Sequence, residues 1–326
     1  MTIEILTTSV ANRKQYDISS LCAPPVWTTS LGSQPGKLEF EMLENEDVSI
    51  QSGDEVILKV DGTNVFKGRV FTEILRGKNK LLTKIIAYDN TRYLQNEDTL
   101  IFNANTLADR FKKICQTQGI PHKVLDSVYY KCSAVLENKH TYYSMLESAI
   151  DETAISGGQR YAFWDNFGTL ELFNLNRGIT NLVIGDSSLM TGFSLTKSVD
   201  EAANSVKVMR EDKEKGKREI YSAKSNKNIE KWGKLQVVET ISDADLNANQ
   251  LKARAAELLK EKNVETLTAD IDAISDLSIR AGKSFTWRNS KSTAYGVGND
   301  SLVLVTRCVH TFSQNPTMSL EIEVLG

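Results

Sequence analysis

The sequence is poor in the residues that most enzyme and metal-centre signatures require. It has three histidines, His122, His140 and His310, with no H-x-x-x-H or H-E-x-x-H spacing, so a catalytic zinc site finds no support. Its four cysteines, Cys22, Cys115, Cys132 and Cys308, form no C-x-x-C pair, and they read as reduced core residues rather than a zinc cluster or redox dithiol. No apolar run reaches the roughly 18 residues that a membrane-spanning helix needs. The opening Met1-Thr2-Ile3-Glu4-Ile5-Leu6 lacks the basic stretch and apolar core of a secretory signal, so a soluble chain made in the cytoplasm is expected. An excess of one charge is also missing: 39 Lys and Arg stand against 42 Asp and Glu, a formal charge of −3. Such a balance offers no general attraction for polyanions, and sequence-specific nucleic-acid binding is not expected.

What is present suits a large folded chain. The 326 residues are 40% apolar and 25% charged with only five prolines. At roughly 100–200 residues per domain, two or three domains are expected. The first ninety-odd residues read as antiparallel strands that close on themselves. Apolar and polar residues alternate in Lys37-Leu38-Glu39-Phe40-Glu41-Met42 and Glu55-Val56-Ile57-Leu58-Lys59-Val60, with a hairpin signal at Asp61-Gly62 and a looser turn at Arg76-Gly77-Lys78-Asn79.

The period then changes. Leu107, Phe111 and Ile114 recur at helical spacing after Asn105 or Thr106, and Gly119-Ile120-Pro121 ends the run. A second helix is expected from Thr141 to Gly157-Gly158, with Tyr142, Met145, Leu146, Ala149 and Ile150 on one face. Arg160–Trp164 and Thr169–Phe173 read as two strands joined by a tight turn at Asp165-Asn166-Phe167-Gly168. From about residue 190 strands dominate again, Asn204–Met209 and Leu235–Glu239 being the clearest. The mixed-sign stretch Arg210–Lys217-Arg218 reads as a solvated hairpin tip. One long helix near 243–262 is expected, opened by a capping box of Ser242 with Asp245 and buried through Leu251, Ala255, Leu258 and Leu259. Three domains follow: a β-domain over 1–96, an α/β insert over 97–187 and a second β-domain over 188–326.

The two β-regions echo each other. Ser52-Gly53-Asp54-Glu55-Val56 can be laid on Ala281-Gly282-Lys283-Ser284-Phe285, each opening a strand after a glycine. Downstream, Phe66–Thr72 falls on Val305–Thr311, and Leu82–Tyr88 on Met318–Val324. A chain with two similar β-domains builds a ring with twice as many domains as subunits, so three copies give pseudo-sixfold symmetry.

In the order of its short motifs the chain resembles baseplate hub proteins of contractile phage tails, phage-tail-like bacteriocins and related prophage particles, of the PBSX prophage hub type. The motifs are Tyr16-Asp17-Ile18-Ser19, Val26-Trp27-Thr28-Thr29-Ser30, Pro35-Gly36-Lys37-Leu38-Glu39-Phe40, Gly53-Asp54 and Val65-Phe66-Lys67-Gly68. They continue through Ala87-Tyr88-Asp89, Arg92-Tyr93-Leu94, Asp165-Asn166-Phe167-Gly168, Gly216-Lys217-Arg218-Glu219 and Lys231-Trp232-Gly233-Lys234-Leu235-Gln236. The resemblance implies a mainly β fold with an α+β insert, in which two tube-like antiparallel β-barrels are separated by the insert. It implies a homotrimer that joins a hexameric tail tube protein to a trimeric spike protein, beside other baseplate proteins, with a lumen for the tape measure protein or DNA. Such a structural protein is assembled in the host cytoplasm and carried in the tail particle. It needs no cofactor and no catalytic residue. Ile86, Tyr88, Leu320, Ile322 and Val324, on the last strand of each β-region, are the expected interface residues.

Chemistry is the competing reading, in the form of a peptidoglycan-degrading tail enzyme with its site in the insert. Cys115 with His122, or Cys132 with His140, would be its cysteine-peptidase pair, but no family signature surrounds either. Glu147, Asp151 and Glu152 would supply a glycosidase pair only if two of them flank a cleft about 5–10 Å apart. Gly282-Lys283-Ser284 lacks the earlier glycine of a phosphate loop, Ser278 standing in its place, and reads as a turn entering a strand. Trp27, Trp164, Trp232 and Trp287 read as packing residues rather than stacking platforms.

Overall fold

Alternation decides the first elements. In the computed structural model, which describes residues 1–32, 34–77, 81–212, 217–241 and 248–325, seven strands open the chain. They are β1 (Ile3–Thr8), β2 (Gln15–Asp17), β3 (Val26–Ser30), β4 (Lys37–Leu43), β5 (Glu55–Val60), β6 (Thr63–Gly77) and β7 (Leu81–Tyr88). In β4 the residues Leu38, Phe40 and Met42 are buried. The other face carries Glu39, held by Lys37 at 2.6 Å and Lys84 at 2.9 Å. An antiparallel strand of this kind presents one face to a core and the other to charge, and β4 does so from Lys37 to Met42. Asp61 (φ 47°) and Gly62 (φ 75°) make the two-residue turn between β5 and β6, the mirror-image turn that strand twist favours.

The insert comprises β8 (Glu97–Phe102), β9 (Asn105–Thr106), α1 (Leu107–Thr117), β10 (His122–Val124), β11 (Lys131–Cys132), β12 (Val135–Thr141), α2 (Tyr142–Gly157), β13 (Tyr161–Asn166) and β14 (Thr169–Asn174). Thr106 and Asp109 cap α1 reciprocally. Phe111, Ile114, Leu146, Ala149, Leu170 and Leu172 join the two helices to the β10–β14–β13 sheet in one core. Both helices and the β13–β14 hairpin, with Phe167 and Gly168 at its turn, lie where the sequence places them.

The rest of the chain supplies β15 (Ile179–Gly185), β16 (Met190–Ser198), β17 (Ser205–Asp212), β18 (Lys217–Lys224), α3 (Asn226–Trp232), β19 (Gln236–Ile241), α4 (Ala248–Lys262), β20 (Thr266–Ile274), β21 (Ser284–Arg288), β22 (Asp300–Thr311) and β23 (Thr317–Val324). The chain divides into two compact units, Met1–Ser194 with Asp270–Gly326, and Leu195–Ala269. In the smaller one, β18, β17 and β19 form a sheet whose Val206 and Val208 pack with Leu251, Ala255 and Leu258 of α4. The expected capping residues Ser242 and Asp245, the tip of the Arg210–Arg218 stretch and Lys78-Asn79 lie outside the described residues. Helix α3 has no counterpart in the sequence reading.

The two β-barrels expected from the resemblance are not there. The first and last β-regions belong to one thirteen-stranded sheet, ordered β16-β20-β23-β22-β3-β4-β7-β6-β5-β1-β2 with β21 also paired to β22 and β15 paired to β21, and no sheet closes into a barrel among the described residues. The reason is one long-range pairing: Arg307–Thr311 of β22 bond to Ser30–Val26 of β3 and fuse the two halves edge to edge. Alternation forecasts strands but not which edges meet.

The echo itself is real and is written in backbone bonds. Gly53 N–H donates to Val70 O at 2.8 Å, and Val70 N–H returns to Asp54 O at 2.9 Å; Gly282 N–H donates to Val305 O at 2.9 Å, and Val305 N–H returns to Lys283 O at 2.8 Å. Both glycines have positive φ, 95° and 90°, which a side chain would strain. Register then slips by one residue after Val70 and after Val305. The strand orders agree too: β3-β4-β7-β6-β5 repeats as β16-β20-β23-β22-β21. The segment from β17 to α4 is therefore inserted in sequence between β16 and β20, the counterparts of β3 and β4. Val70, not Phe66, is the counterpart of Val305. Because Val70 pairs with Ala87 and Val305 with Ile322, Thr83 rather than Leu82 matches Met318. Laying Leu82 on Met318 is therefore one residue out, which exchanges the two faces of a strand.

Candidate assembly surface and a buried ionic cluster

Sheet edges are the first functional feature. β6 is fifteen residues long and pairs with β7 from Arg69 to Gly77, but with β5 only as far as Arg69. Beyond that point its second edge has no strand among the described residues, and Glu73–Gly77 are exposed, Leu75 at 63%. β16 ends the sheet order at the opposite side. Long unprotected edges are templates for strand addition.

The expected interface residues fall in two classes. Ile86, Tyr88 and Val324 are half-buried, whereas Leu320 and Ile322 point into the protein and are buried. The last two act on any surface only through the shape of the core beneath it.

The second feature is a buried cluster that joins the insert to the sheet. Arg280, just before β21, lies between two indoles, 5.4 Å from the Trp27 ring and 5.0 Å from that of Trp164. Its Nη1 donates to Asp165 O at 3.0 Å. The Asp165 carboxylate accepts Gly168 N–H at 2.6 Å and Asn90 N–H at 3.3 Å, and Asn90 Nδ2 donates to Gly168 O at 3.0 Å. Asp89 accepts Thr91 N–H at 3.0 Å, while Gly36 N–H donates to Thr91 Oγ1 at 3.1 Å and Asp89 N–H to Gly36 O at 3.0 Å. Burial, then the charge of Asp165, pushes the Asp89 carboxyl up to about 7. Burial raises Asp165 as well and lowers Arg280. Three motifs far apart in sequence, around Gly36, Asp89 and Asp165–Gly168, thus converge on one arginine. Sequence reading missed Arg280, a lone basic residue in no pattern.

The residues suspected of chemistry are not brought together for it. Cys115 is buried, which pushes its thiol up to about 12, while His122 turns its Nδ1 to Ile120 O at 3.0 Å. Cys132 lies against Ala149 O and Thr153 Oγ1, and His140 pairs with Glu137 at 2.5 Å. Glu152 accepts Ser133 N–H and Oγ–H, both at 2.8 Å, and serves as a loop anchor. Glu147, raised by burial and by Asp151, lines a cavity of 210 Å³ with Asp151, Tyr143 and Arg160. Ser275 and His310 form a hydrogen-bonded pair at 2.7 Å, but His310 is fully buried and its Nε2 donates to Ile279 O at 2.8 Å. Trp27 and Trp287 are core residues. Lys283-Ser284 follow the positive-φ Gly282 into β21, a turn entering a strand. Among the described residues, no three His, Cys, Asp or Glu side chains gather as metal ligands, and no helix is long and apolar enough to cross a membrane.

Comparison with known proteins matches this architecture to tail proteins. The model of the YqbQ-like family matches residues 26–323. The chain is 28% identical over 237 residues to the phage-like element PBSX protein XkdQ of Bacillus subtilis strain 168, covering 72% of this chain and 71% of that one. The 43 kDa tail protein of prophage MuSo2 from Shewanella oneidensis superposes with a TM-score of 0.70 at 13% identity, covering 98% of both chains. A tail protein from Neisseria meningitidis MC58 gives 0.69 at 14% identity, covering 99% of this chain and 96% of that one. These two share the fold.

Proposed function

The chain belongs to the YqbQ-like family, and from that premise we propose that it is a structural subunit of the hub at the end of a contractile tail or tail-like particle. The duplicated strand order carries this reading: each chain holds two like β-units, so three chains offer six to a sixfold tube while remaining threefold towards a spike. The hub is a homotrimer that receives the hexameric tail tube protein on one face and the trimeric spike protein on the other. Its lumen admits the tape measure protein or, in infectious particles, DNA. The subunit is assembled in the host cytoplasm with other baseplate proteins and stays in the particle.

An adaptor of this kind makes and breaks no covalent bond. It needs permanent contacts, which in obligate assemblies exceed roughly 2,000 Å² and are more apolar than ordinary surface. Ile86, Tyr88 and Val324, half-exposed on strands, supply apolar area for them. The Arg280 cluster fixes the insert on the sheet and so supports a hub that bears load.

The test is the mass of the purified chain in solution, together with a cell-wall zymogram. A trimer without wall lysis supports the reading. A chain that lyses walls and loses this on Glu147→Gln is an enzyme, and the hub reading falls.

A further inference from the structure

The duplication leaves one position in the sheet unfilled, and the chain itself carries the strand that fits it. In the second half, β22 bonds β21 with its first part and β3 with its last part, Arg307–Thr311. In the first half, β6 bonds β5 with its first part. Its last part, Thr72–Arg76, is the counterpart of Arg307–Thr311 by the shared slip after Val70 and Val305, and no strand covers it among the described residues.

The counterpart of β3 is β16, and hydrogen bonds fix the register. Ser275 N–H donates to Pro316 O at 3.0 Å, which sets Ile271 beside Leu320 as Phe40 is set beside Ile85. Ser194 Oγ bonds Asp270 Oδ2 at 3.0 Å and Thr266 Oγ1 donates to Ser198 O at 3.1 Å, which sets Phe193 beside Ile271. Phe193 therefore takes the place of Pro25. Counting on along β16, Leu195 takes that of Trp27 and Lys197 that of Thr29.

We infer that β16 of one copy adds to the free edge of β6 in a second copy, as β3 adds to β22 within the chain. Within the chain Cys308 faces Thr29 and His310 faces Trp27, the last two rings stacked 5.4 Å apart. Between copies the same register sets Glu73 opposite Lys197 and Leu75 opposite Leu195. Opposite charges meet, and an exposed leucine gains an apolar partner. Both features are independent of the hydrogen bonds that fix the register. In the single chain Glu73 accepts a bond from Ser52 Oγ at 2.9 Å and Lys197 pairs with Glu265 at 2.8 Å, both at exposed positions where pairs are weak and exchangeable. Each copy has one β6 edge and one β16 edge, so the contact is head to tail and a ring closes it. The inference rests on the hub reading for its occupant, a second copy of this chain.

Charge exchange and cross-linking on the full chain test it. Glu73→Lys and Lys197→Glu should each weaken self-association about tenfold, and the doubly exchanged chain should recover to within about threefold of the original. Leu75→Cys with Leu195→Cys in one chain should give disulfide-linked multimers on oxidation, where either change alone gives none. Association unaffected by both exchanges, with no linked multimers, overturns the strand pairing while leaving the hub reading intact. A chain that is monomeric in solution and in isolated particles overturns both.

Discussion

The carboxylate of Asp89 fills the space that a side chain at Gly36 would occupy; a Cβ built there would overlap its Oδ2. The two residues also bond through the backbone, Asp89 N–H to Gly36 O at 3.0 Å. Gly36→Ala must displace a buried carboxylate. A loss of about 1–3 kcal/mol in urea unfolding is expected, the range for overpacking a filled site.

Arg280 balances two buried acids, so its removal costs more than its own contacts. Arg280→Met should destabilise the chain by about 3–5 kcal/mol, because Asp89 and Asp165 stay buried without a cation. Adding Asp89→Asn and Asp165→Asn to that variant should recover part of the loss. Urea denaturation of the three chains measures both effects.

Stability should also fall as pH rises through neutrality. The Asp89 carboxyl stands at about 7 when folded, chiefly through burial and then through Asp165, against about 3.9 for an unfolded aspartate. Between these values the folded chain keeps a proton that the unfolded chain has released. The stabilisation is complete below the unfolded value and is lost as pH rises through about 7. Thermal midpoints should drop between pH 5 and pH 8, and Asp89→Asn should flatten the profile.

What could be read from the sequence was local. Asp61-Gly62, Gly119 and Phe167-Gly168 act within a few residues, and each lies at the turn or helix end expected of it. Alternation of period two fits at several offsets and carries no mark of the bulges after Val70 and Val305, so it lays Phe66 on Val305, four residues from the true counterpart, and Leu82 on Met318, one residue out. Arg280 meets Asp165 across 115 residues and Ala281 N–H meets Thr29 Oγ1 across 252. No spacing rule reaches that far. The single sheet depended on one such distant pairing, β3 with β22, and separate barrels were the expectation that pairing removed.

The cysteines should behave as packing residues. Cys115, Cys132 and Cys308 are buried and Cys22 is half-buried, with its thiol pushed up to about 12 by burial and by Asp17. A thiol reagent at pH 8 should label the native chain slowly and reach all four cysteines rapidly only in denaturant. Fast labelling of Cys115 or Cys132 in the native chain would point to a reactive centre in the insert.

Electron micrographs of the purified assembly, averaged down the ring axis without imposed symmetry, test the account most directly. It expects three chains around a central opening, with six like lobes from the duplicated strand order. A solid particle, or a ring whose lobes number other than twice its chains, would contradict it.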